Sequence, residues 1–308
     1  MDASCKDNAL RIRRLRLRSR IVRAVRRFFE ADGYLEVETP CRIPAPAPEL
    51  HVDAPPAGDW FLQASPELCM KRLLAAGCPR IFQICRCFRL GERGRWHLPE
   101  MTMLEWYAAG RTYLDLMDDC ERLTAAVARE LGRGSKLAYQ GREVDLGPPW
   151  ERLTVAEAFH RFGSVSAAQA LAEDRFDEVM GLQIAPRLGL ERPLLLYDYP
   201  ASCAALARLR PDDAAVAERF ELYIAGLELC NGFSELTDPE AQRRRFAAES
   251  EARGRAGKTV YPTAEPFLED LARMPPAAGN ALGLDRLVML FADAAEIDEV
   301  VAFTPEML

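Results

Sequence analysis

The residues best placed to do chemistry lie in one stretch, residues 80–107. Arg80-Ile-Phe-Gln-Ile-Cys-Arg-Cys-Phe-Arg89 alternates as a strand. The following loop carries Gly91, Gly94 and Pro99, the residues of a turn, together with Arg93, Arg95 and His97. From Glu100 the period of two returns, so Met101, Met103, Glu105 and Tyr107 share one face, and Thr102, Leu104 and Trp106 the other. Cationic groups on a glycine-bearing loop suit a polyphosphate, and a carboxylate beside a phenol suits a small amine. An ordinary hairpin with a solvated arginine tip fits the composition about equally well.

Three further segments carry candidate chemistry. Ser65-Pro66-Glu67 opens a helix, with a capping hydroxyl and a proline in the first turn, that is expected to run to Gly77. Glu221 and Glu228 stand on two strands hinged near Ala225-Gly226, so the hairpin can bring two carboxylates together. Beside a triphosphate such a pair is the usual way to hold Mg²⁺; without one, two strand glutamates are more often solvated. The parity of Glu228 and Cys230 differs from that of Asn231, Phe233 and Glu235, which predicts a bulge at Asn231-Gly232 that re-aims Glu235. Finally, Gly279-Asn-Ala-Leu-Gly-Leu-Asp-Arg286 reads as strand, tight glycine turn and helix.

The elements that must position these groups are legible in outline. Residues 11–27 hold nine arginines and no acid, although the chain as a whole carries −7. Leu17, Ile21, Val22, Val25, Phe28 and Phe29 form one helical stripe, so a core-facing helix with a solvated arginine face is expected, ending at Asp32-Gly33. A basic opening of this kind also suits an acidic partner or nucleic acid. Tyr34-Leu-Glu-Val-Glu-Thr-Pro40 follows as a strand, and Pro44, Pro46, Pro48, Pro55 and Pro56 mark an irregular connection. Residues 111–180 read as helical, with an exposed turn at Gly147-Pro148-Pro149, and residues 194–202 as a buried strand leaving into a loop.

Nine cysteines without a Cys-x-x-Cys pair or a histidine cluster read as reduced, mostly buried thiols, and three histidines make histidine-based metal or triad chemistry improbable. No eighteen-residue apolar window and no signal-peptide core occur, so a cytoplasmic protein is expected.

The order Phe88-Arg89, a loop to His97, and Pro99-Glu-Met-Thr-Met-Leu-Glu-Trp-Tyr107 resembles motif 2 of class II aminoacyl-tRNA synthetases in its lysine-specific form. The long helix, strand and Pro40 resemble motif 1, which builds a dimer interface, and residues 279–291 resemble motif 3. The resemblance covers about residues 15–305 and implies an α+β fold: an antiparallel β-sheet flanked by helices, with residues 1–14 as a tail and 15–308 as one catalytic domain. It implies that Arg89 holds the α-phosphate of ATP and that Arg286 meets the γ-phosphate and adenine. Glu92, His97, Met101, Glu228, Leu229 and Gly283 complete the implied ATP site, with Glu221 and Glu228 on Mg²⁺. Ser65, Glu67, Glu105, Tyr107, Asn231, Glu235 and Ala281 are the implied amino-acid pocket, in which Glu67 meets the α-amino group and Glu105, Tyr107 and Glu235 the side-chain amine.

The chain departs from the family pattern at three positions. The family writes Phe-Arg-Asn-Glu where this chain has Leu90-Gly91 and a first loop carboxylate at Glu92. Met101 stands in place of a phenylalanine that stacks on adenine, and Ala281 in place of a third motif 3 glycine. Only about fifteen residues precede the motif 1-like helix, so no anticodon-binding domain is expected.

The chain is therefore similar to the stand-alone paralogues of the lysine branch that modify elongation factor P. That similarity implies ATP-dependent activation of (R)-β-lysine and its transfer to a lysine ε-amine of elongation factor P by a homodimer with no tRNA partner. Three alternatives stand beside it: a truncated lysyl-tRNA synthetase acting on tRNA or free amino acid, an ammonia-dependent adenylate-forming enzyme, and a non-catalytic regulatory paralogue.

Overall fold

The computed structural model describes residues 3–308, with the side chains of the first helix described from residue 8 onward. Helix α1, Ala3–Ala31, runs straight through the expected boundary between tail and domain at residue 14. Its apolar stripe decides its orientation: Ile21, Val25 and Phe29 are fully buried, while Leu17, Val22 and Phe28 pack at the margin. The helix ends as its glycine requires. Gly33 adopts φ +76°, Tyr34 N–H bonds back to the Phe29 carbonyl at 2.9 Å, and Gly33 N–H bonds to that of Glu30 at 3.1 Å.

The main sheet has eight strands: β1 Leu35–Glu36, β2 Arg80–Phe88, β3 Glu100–Ala109, β4 Glu151–Thr154, β5 Leu194–Pro200, β6 Val216–Ile224, β7 Leu227–Ser234 and β8 Ala277–Gly283. Their spatial order is β1-β2-β3-β8-β7-β6-β5-β4. All neighbours are antiparallel except the outermost pairs, β1 with β2 and β4 with β5. One face is covered by α1, by α3 (Tyr113–Glu130) and by the helix Leu284–Ala292, which bury Leu104, Trp106, Phe220, Leu222, Cys230 and Leu282 among them. Phe29 seats α1 there, stacked on Phe82 at 5.0 Å and tilted against Trp106 at 5.2 Å. Truncating such a ring costs about 3–5 kcal/mol.

The expected α+β layering is present, but residues 111–180 are not uniformly helical. They contain the hairpin Lys136–Tyr139 with Arg142–Asp145 and the edge strand β4 as well as helices. Leu137 and Tyr139 alternate inward with exposed Lys136 and Ala138, a period of two too short to stand out in the sequence. The thiols also differ from expectation. The eight described cysteines are free, yet only Cys87, Cys120 and Cys230 are buried. Among the described residues no helix is long and apolar enough to cross a membrane.

The other sheet face is open over β3, β8, β7 and β6. It is flanked by α2 (Glu67–Ala75), by the helix Pro239–Arg255 and by the proline-rich connection. That connection is fastened by Arg253, which is fully buried. Its guanidinium donates to the carbonyls of Glu49 and Val52 at 2.6 and 2.9 Å and to Asp53 Oδ1 at 2.7 Å.

Candidate active site

Strand register assembles the site. Ala281 of β8 sits between Glu105 of β3 and Asn231 of β7, and Gly279 sits between Tyr107 and Phe233. Residues opposite one another in a ladder point to the same face, so these side chains converge on the open face. The tight turn Ala225-Gly226, with φ of 55° and 78°, folds β7 back on β6. The pairing slips between Leu222 and Tyr223, which face Cys230 and Glu228. The extra residue is therefore Leu229, not Asn231-Gly232. Asn231 and Phe233 keep a regular alternation, and the bulge re-aims Glu228 rather than Glu235. Without it Glu228 would share the core-facing parity of Cys230.

Two joined cavities result. The larger, about 250 Å³, is lined by Arg89, Glu92, His97, Met101, Glu221, Glu228, Leu229, Gly283 and Arg286, so every expected nucleotide residue reaches it. Arg286 is held by acceptors from two elements: it donates to the carbonyl of Glu228 at 2.9 Å, to that of Trp96 at 3.2 Å, and to His97 Nε2 at 2.7 Å. His97 accepts through Nε2 and is thus the neutral tautomer protonated at Nδ1; burial, then the Arg286 charge, lowers its pKa. Arg89 lies 3.6 Å from Glu92, and its Nε is buried with no partner among the described residues. Gly91 supplies no carboxylate, but its φ of +78° lets the loop turn so that Glu92 reaches the cavity.

The loop arginines do not form the cradle that their positions suggested. Arg93 is engaged by Asp298 and Glu306 at 2.7 and 2.8 Å, and Arg95 donates to the Ala295 carbonyl at 3.1 Å. Acids near the C-terminal end of the chain claim the first of these, a pairing invisible in local sequence. Both residues tie the loop to the C-terminal segment, and neither lines the cavity.

The donor set fits a nucleotide with Mg²⁺. Glu221 accepts from Arg219 Nη2 at 2.6 Å and from Tyr223 Oη at 2.7 Å. Glu228 keeps 43 % of its side chain open to the cavity, and its carboxyl is pushed up by the enclosed surroundings and by the Glu221 charge. Two carboxylates that repel each other across a cavity offer oxygen ligands and leave the remaining positions to phosphates and water. A Cβ at Gly283 would meet nothing nearer than Arg286 Cδ at 3.7 Å, so the glycine leaves space on the cavity side.

The smaller cavity, about 70 Å³, adjoins the first through Arg89, Met103, Asn231 and Ala281 and is lined by Ser65, Glu67, Glu105 and Tyr107. Glu105 is fully buried and accepts from Ser65 Oγ and Tyr107 Oη, both at 2.7 Å. Burial, reinforced by the Glu67 charge, pushes its carboxyl up to about 7. Ser65 also accepts the Glu67 amide at 3.0 Å, but the capping position is Pro66, one residue later than expected, and the helix ends at Ala75. Asn231 is oriented by Arg219 Nε at 2.9 Å.

Glu235 does not line the cavity wall. It lies behind it, where its Oε2 stands 2.5 Å from Lys71 Nζ and its Oε1 has no partner among the described residues. A Cβ at Gly279 would meet Tyr107 Cε1 at 2.1 Å and Glu235 Oε1 at 2.6 Å, so only glycine fits there. Burial pushes Glu235 up to about 8 against the pull of Lys71.

Sequence reasoning missed Lys71. Its ammonium bridges Glu67 and Glu235, each at 2.5 Å; burial opposes its charge, but the two acids hold its pKa above the usual value. The spacing of Glu67 and Lys71, four apart on a helix, was the available signal. Arg219 was missed too, with only its alternation with Glu221 to mark it. Asp285 was a third: it accepts the Thr102 amide at 2.7 Å and Arg18 Nη1 at 2.5 Å, tying β3 to α1. Arg18 is therefore not on a solvated face.

A nucleotide-sized cavity between two arginines and a carboxylate pair, opening into an acid-lined pocket on an antiparallel sheet, is the architecture of an amino-acid-activating catalytic domain. The chain belongs to the family of class II tRNA synthetases (D, K and N), whose profile matches residues 6–307. It is 40% identical over 305 residues to an elongation factor P--(R)-beta-lysine ligase of Erwinia tasmaniensis, covering 93% of each chain. To the protein of that name in Vibrio atlanticus it is 36% identical over 312 residues, covering 96% of each. It is also 39% identical over 317 residues to the lysine--tRNA ligase of Magnetococcus marinus, with 94% of this chain and 63% of that protein covered.

Proposed function

We propose that this protein is an ATP-dependent, AMP-forming ligase that activates (R)-β-lysine as an adenylate and transfers it to the ε-amine of a lysine of elongation factor P. The observation that carries the reading is the pair of joined cavities: a two-arginine nucleotide site opening into a pocket lined by Glu67 and Glu105, with Glu235 behind its wall, an acidic setting that suits the two ammonium groups of a diamino acid. Near-complete mutual coverage with relatives named for this reaction supports it.

Each residue then has a role. Arg89 binds the α-phosphate and stabilises charge that develops as the substrate carboxylate attacks it, and Arg286 binds the departing pyrophosphate side. Glu221 and Glu228 hold Mg²⁺, which when bound neutralises phosphate charge. Glu92, His97, Met101, Leu229 and Gly283 shape the nucleotide cavity. Ser65 and Tyr107 orient Glu105, Asn231 and Ala281 form the wall against the substrate carbon chain, and Glu67 and Glu235 take up ammonium charge. An amino acid lacking the terminal ammonium would leave buried acids unpaired, which favours a diamino substrate. Residues 15–308 act as one catalytic domain, and a symmetric dimer forms through α1 and the segment ending at Pro40.

ATP–pyrophosphate exchange with (R)-β-lysine, followed by transfer to elongation factor P, tests the reading; absence of exchange with any lysine isomer would remove it. The similarity to a lysine--tRNA ligase favours one second reading, with tRNA as acceptor. Lysine-tRNA offered in the same transfer assay separates the two.

A further inference from the structure

The second half of the proposed reaction needs something that the first does not. A lysine ε-amine is an ammonium at neutral pH, and an ammonium has no lone pair with which to attack an acyl carbon. Among the residues described so far none is assigned to remove that proton.

A third cavity, about 490 Å³, lies outside the other two, bounded by the proline-rich connection, the turn at residues 201–206 and the helix Pro239–Arg255. It meets the nucleotide cavity at Val52 and Arg219 and the amine pocket at Ala205 and Leu206. Glu49 is the one residue that lines all three cavities. It stands where the outer cavity meets both inner ones.

Glu49 is also held ready. Its carbonyl accepts from buried Arg253 at 2.6 Å, and the next amide, of Leu50, donates to Glu249 Oε2 at 2.9 Å. Its own carboxylate takes part in none of the described hydrogen bonds or ion pairs, in contrast to Glu67, Glu105 and Glu221.

We propose that Glu49 is the general base of the transfer step and that the outer cavity is the entry channel for the acceptor lysine. The inference rests on the reading proposed above. The acceptor ammonium passes one proton to the Glu49 carboxylate, and the freed lone pair attacks the carbonyl carbon of the adenylate. The new C–N bond forms as the C–O bond to the AMP phosphate breaks. The second proton leaves the nitrogen for the phosphate or water, and AMP departs with the bonding electrons.

The charges facing Glu49 suit this role. Burial comes first and the Glu67 carboxylate of α2 second in pushing its carboxyl up. Glu249 of the helix Pro239–Arg255 acts in the same direction, whereas Arg89 and Arg219 from β2's end and β6 oppose it; His51 lies two residues along the same connection. A carboxyl with a raised pKa is a stronger base, nearer the pH at which it must work.

The test compares the two half-reactions in wild type and Glu49→Gln, using ATP, (R)-β-lysine and purified elongation factor P. Transfer should fall far more than ATP–pyrophosphate exchange, whose persistence also shows that the variant is folded. Transfer near pH 7 should fall by roughly 10²–10⁴-fold, the usual contribution of a positioned base. The deficit should shrink as pH rises toward the pKa of free lysine, and hydroxylamine, a nucleophile already neutral at pH 7, should discharge the adenylate at the wild-type rate. Transfer at the wild-type rate overturns the proposal. So does a deficit independent of pH that appears only as a raised KM for elongation factor P, which marks a docking contact, and so does an equal loss of exchange. Absence of exchange in the wild type would instead overturn the function on which the proposal rests.

Discussion

The nucleotide cavity and the amine pocket occupy the same sheet face and share Arg89, Asn231 and Ala281, yet they handle charge in opposite ways. In the nucleotide cavity Arg286 and Arg89 are only loosely paired, 3.8 Å from Glu228 and 3.6 Å from Glu92, and Glu228 stays partly open, so a ligand can take over these partners. In the amine pocket the charges are already answered from within: Lys71 sits between Glu67 and Glu235, and Glu105 is pushed toward its protonated form. A part-open site can keep loosely paired charge because water solvates it. A closed one must neutralise itself until a diammonium substrate arrives.

The largest expected effect comes from breaking the closed side. Lys71→Met leaves two buried acids without their cation and should lower unfolding stability by about 3–5 kcal/mol, visible as a fall in Tm. A Tm unchanged from wild type would mean that the acids are simply protonated and the contrast is overstated. On the open side the expectation reverses. Arg89→Ala should leave Tm nearly unaltered but reduce ATP–pyrophosphate exchange about a hundredfold, ~3 kcal/mol in the transition state. Exchange that survived would detach Arg89 from the chemistry.

Ala281 lies where the two regions meet, opposite Glu105 and Asn231. In the proposed function its methyl group would take space from the substituents of an α-amino acid and spare a β-amino acid, whose amine sits one carbon further along. Ala281→Gly should shift kcat/KM toward α-lysine by about tenfold to two hundredfold, ~1–3 kcal/mol, with ATP affinity unaltered. An unchanged ratio of the two lysines would show that discrimination lies elsewhere.

The smallest effect is a proton count. Glu105, which is in no ion pair among the described residues, has its carboxyl raised to about 7, so near neutral pH it partly holds a proton that an unfolded chain would have released. Its contribution to stability is therefore present at acid pH and is lost as pH rises through about 7. An arriving diammonium reverses the shift. Binding of (R)-β-lysine at pH 7 should release a fraction of a proton, measured by calorimetry in buffers of different ionisation heat, and the release should vanish by about pH 9. No dependence on buffer would mean that Glu105 is ionised in the empty pocket.

How far the sequence revealed this contrast depended on the range of the forces involved. The face shared by Met101, Met103, Glu105 and Tyr107, the cap at Gly33 and the turn at Ala225-Gly226 follow from local periodicity and backbone sterics, and each was legible. All the expected nucleotide residues converge because they sit on neighbouring strands, or on the loop and helix joined to them, whose order the motifs imply. Long-range pairing was not legible. Arg93 reaches Glu306, Arg18 reaches Asp285 and Arg253 reaches Glu49, partners separated by up to two hundred and sixty-seven positions. The edge strand β4 is four residues long, too short to print a period. The need for a bulge was visible as a change of parity, but its position was not, because parity records that a residue has been added and not where.

That added residue, Leu229, has a consequence for how the chain can vary. A ladder is read two residues at a time, and β7 is read in two frames: Glu228 belongs to one and Asn231 with Phe233 to the other, and both frames spell the same face only because a single letter separates them. Substitutions along β7 change one word each. Loss of Leu229 would shift the frame, turning either Glu228 or else Asn231 and Phe233 toward the hydrophobic layer. Relatives of this chain should therefore tolerate many replacements in β7 yet keep its length, since one missing residue would separate the acid facing the larger cavity from the pocket beside it.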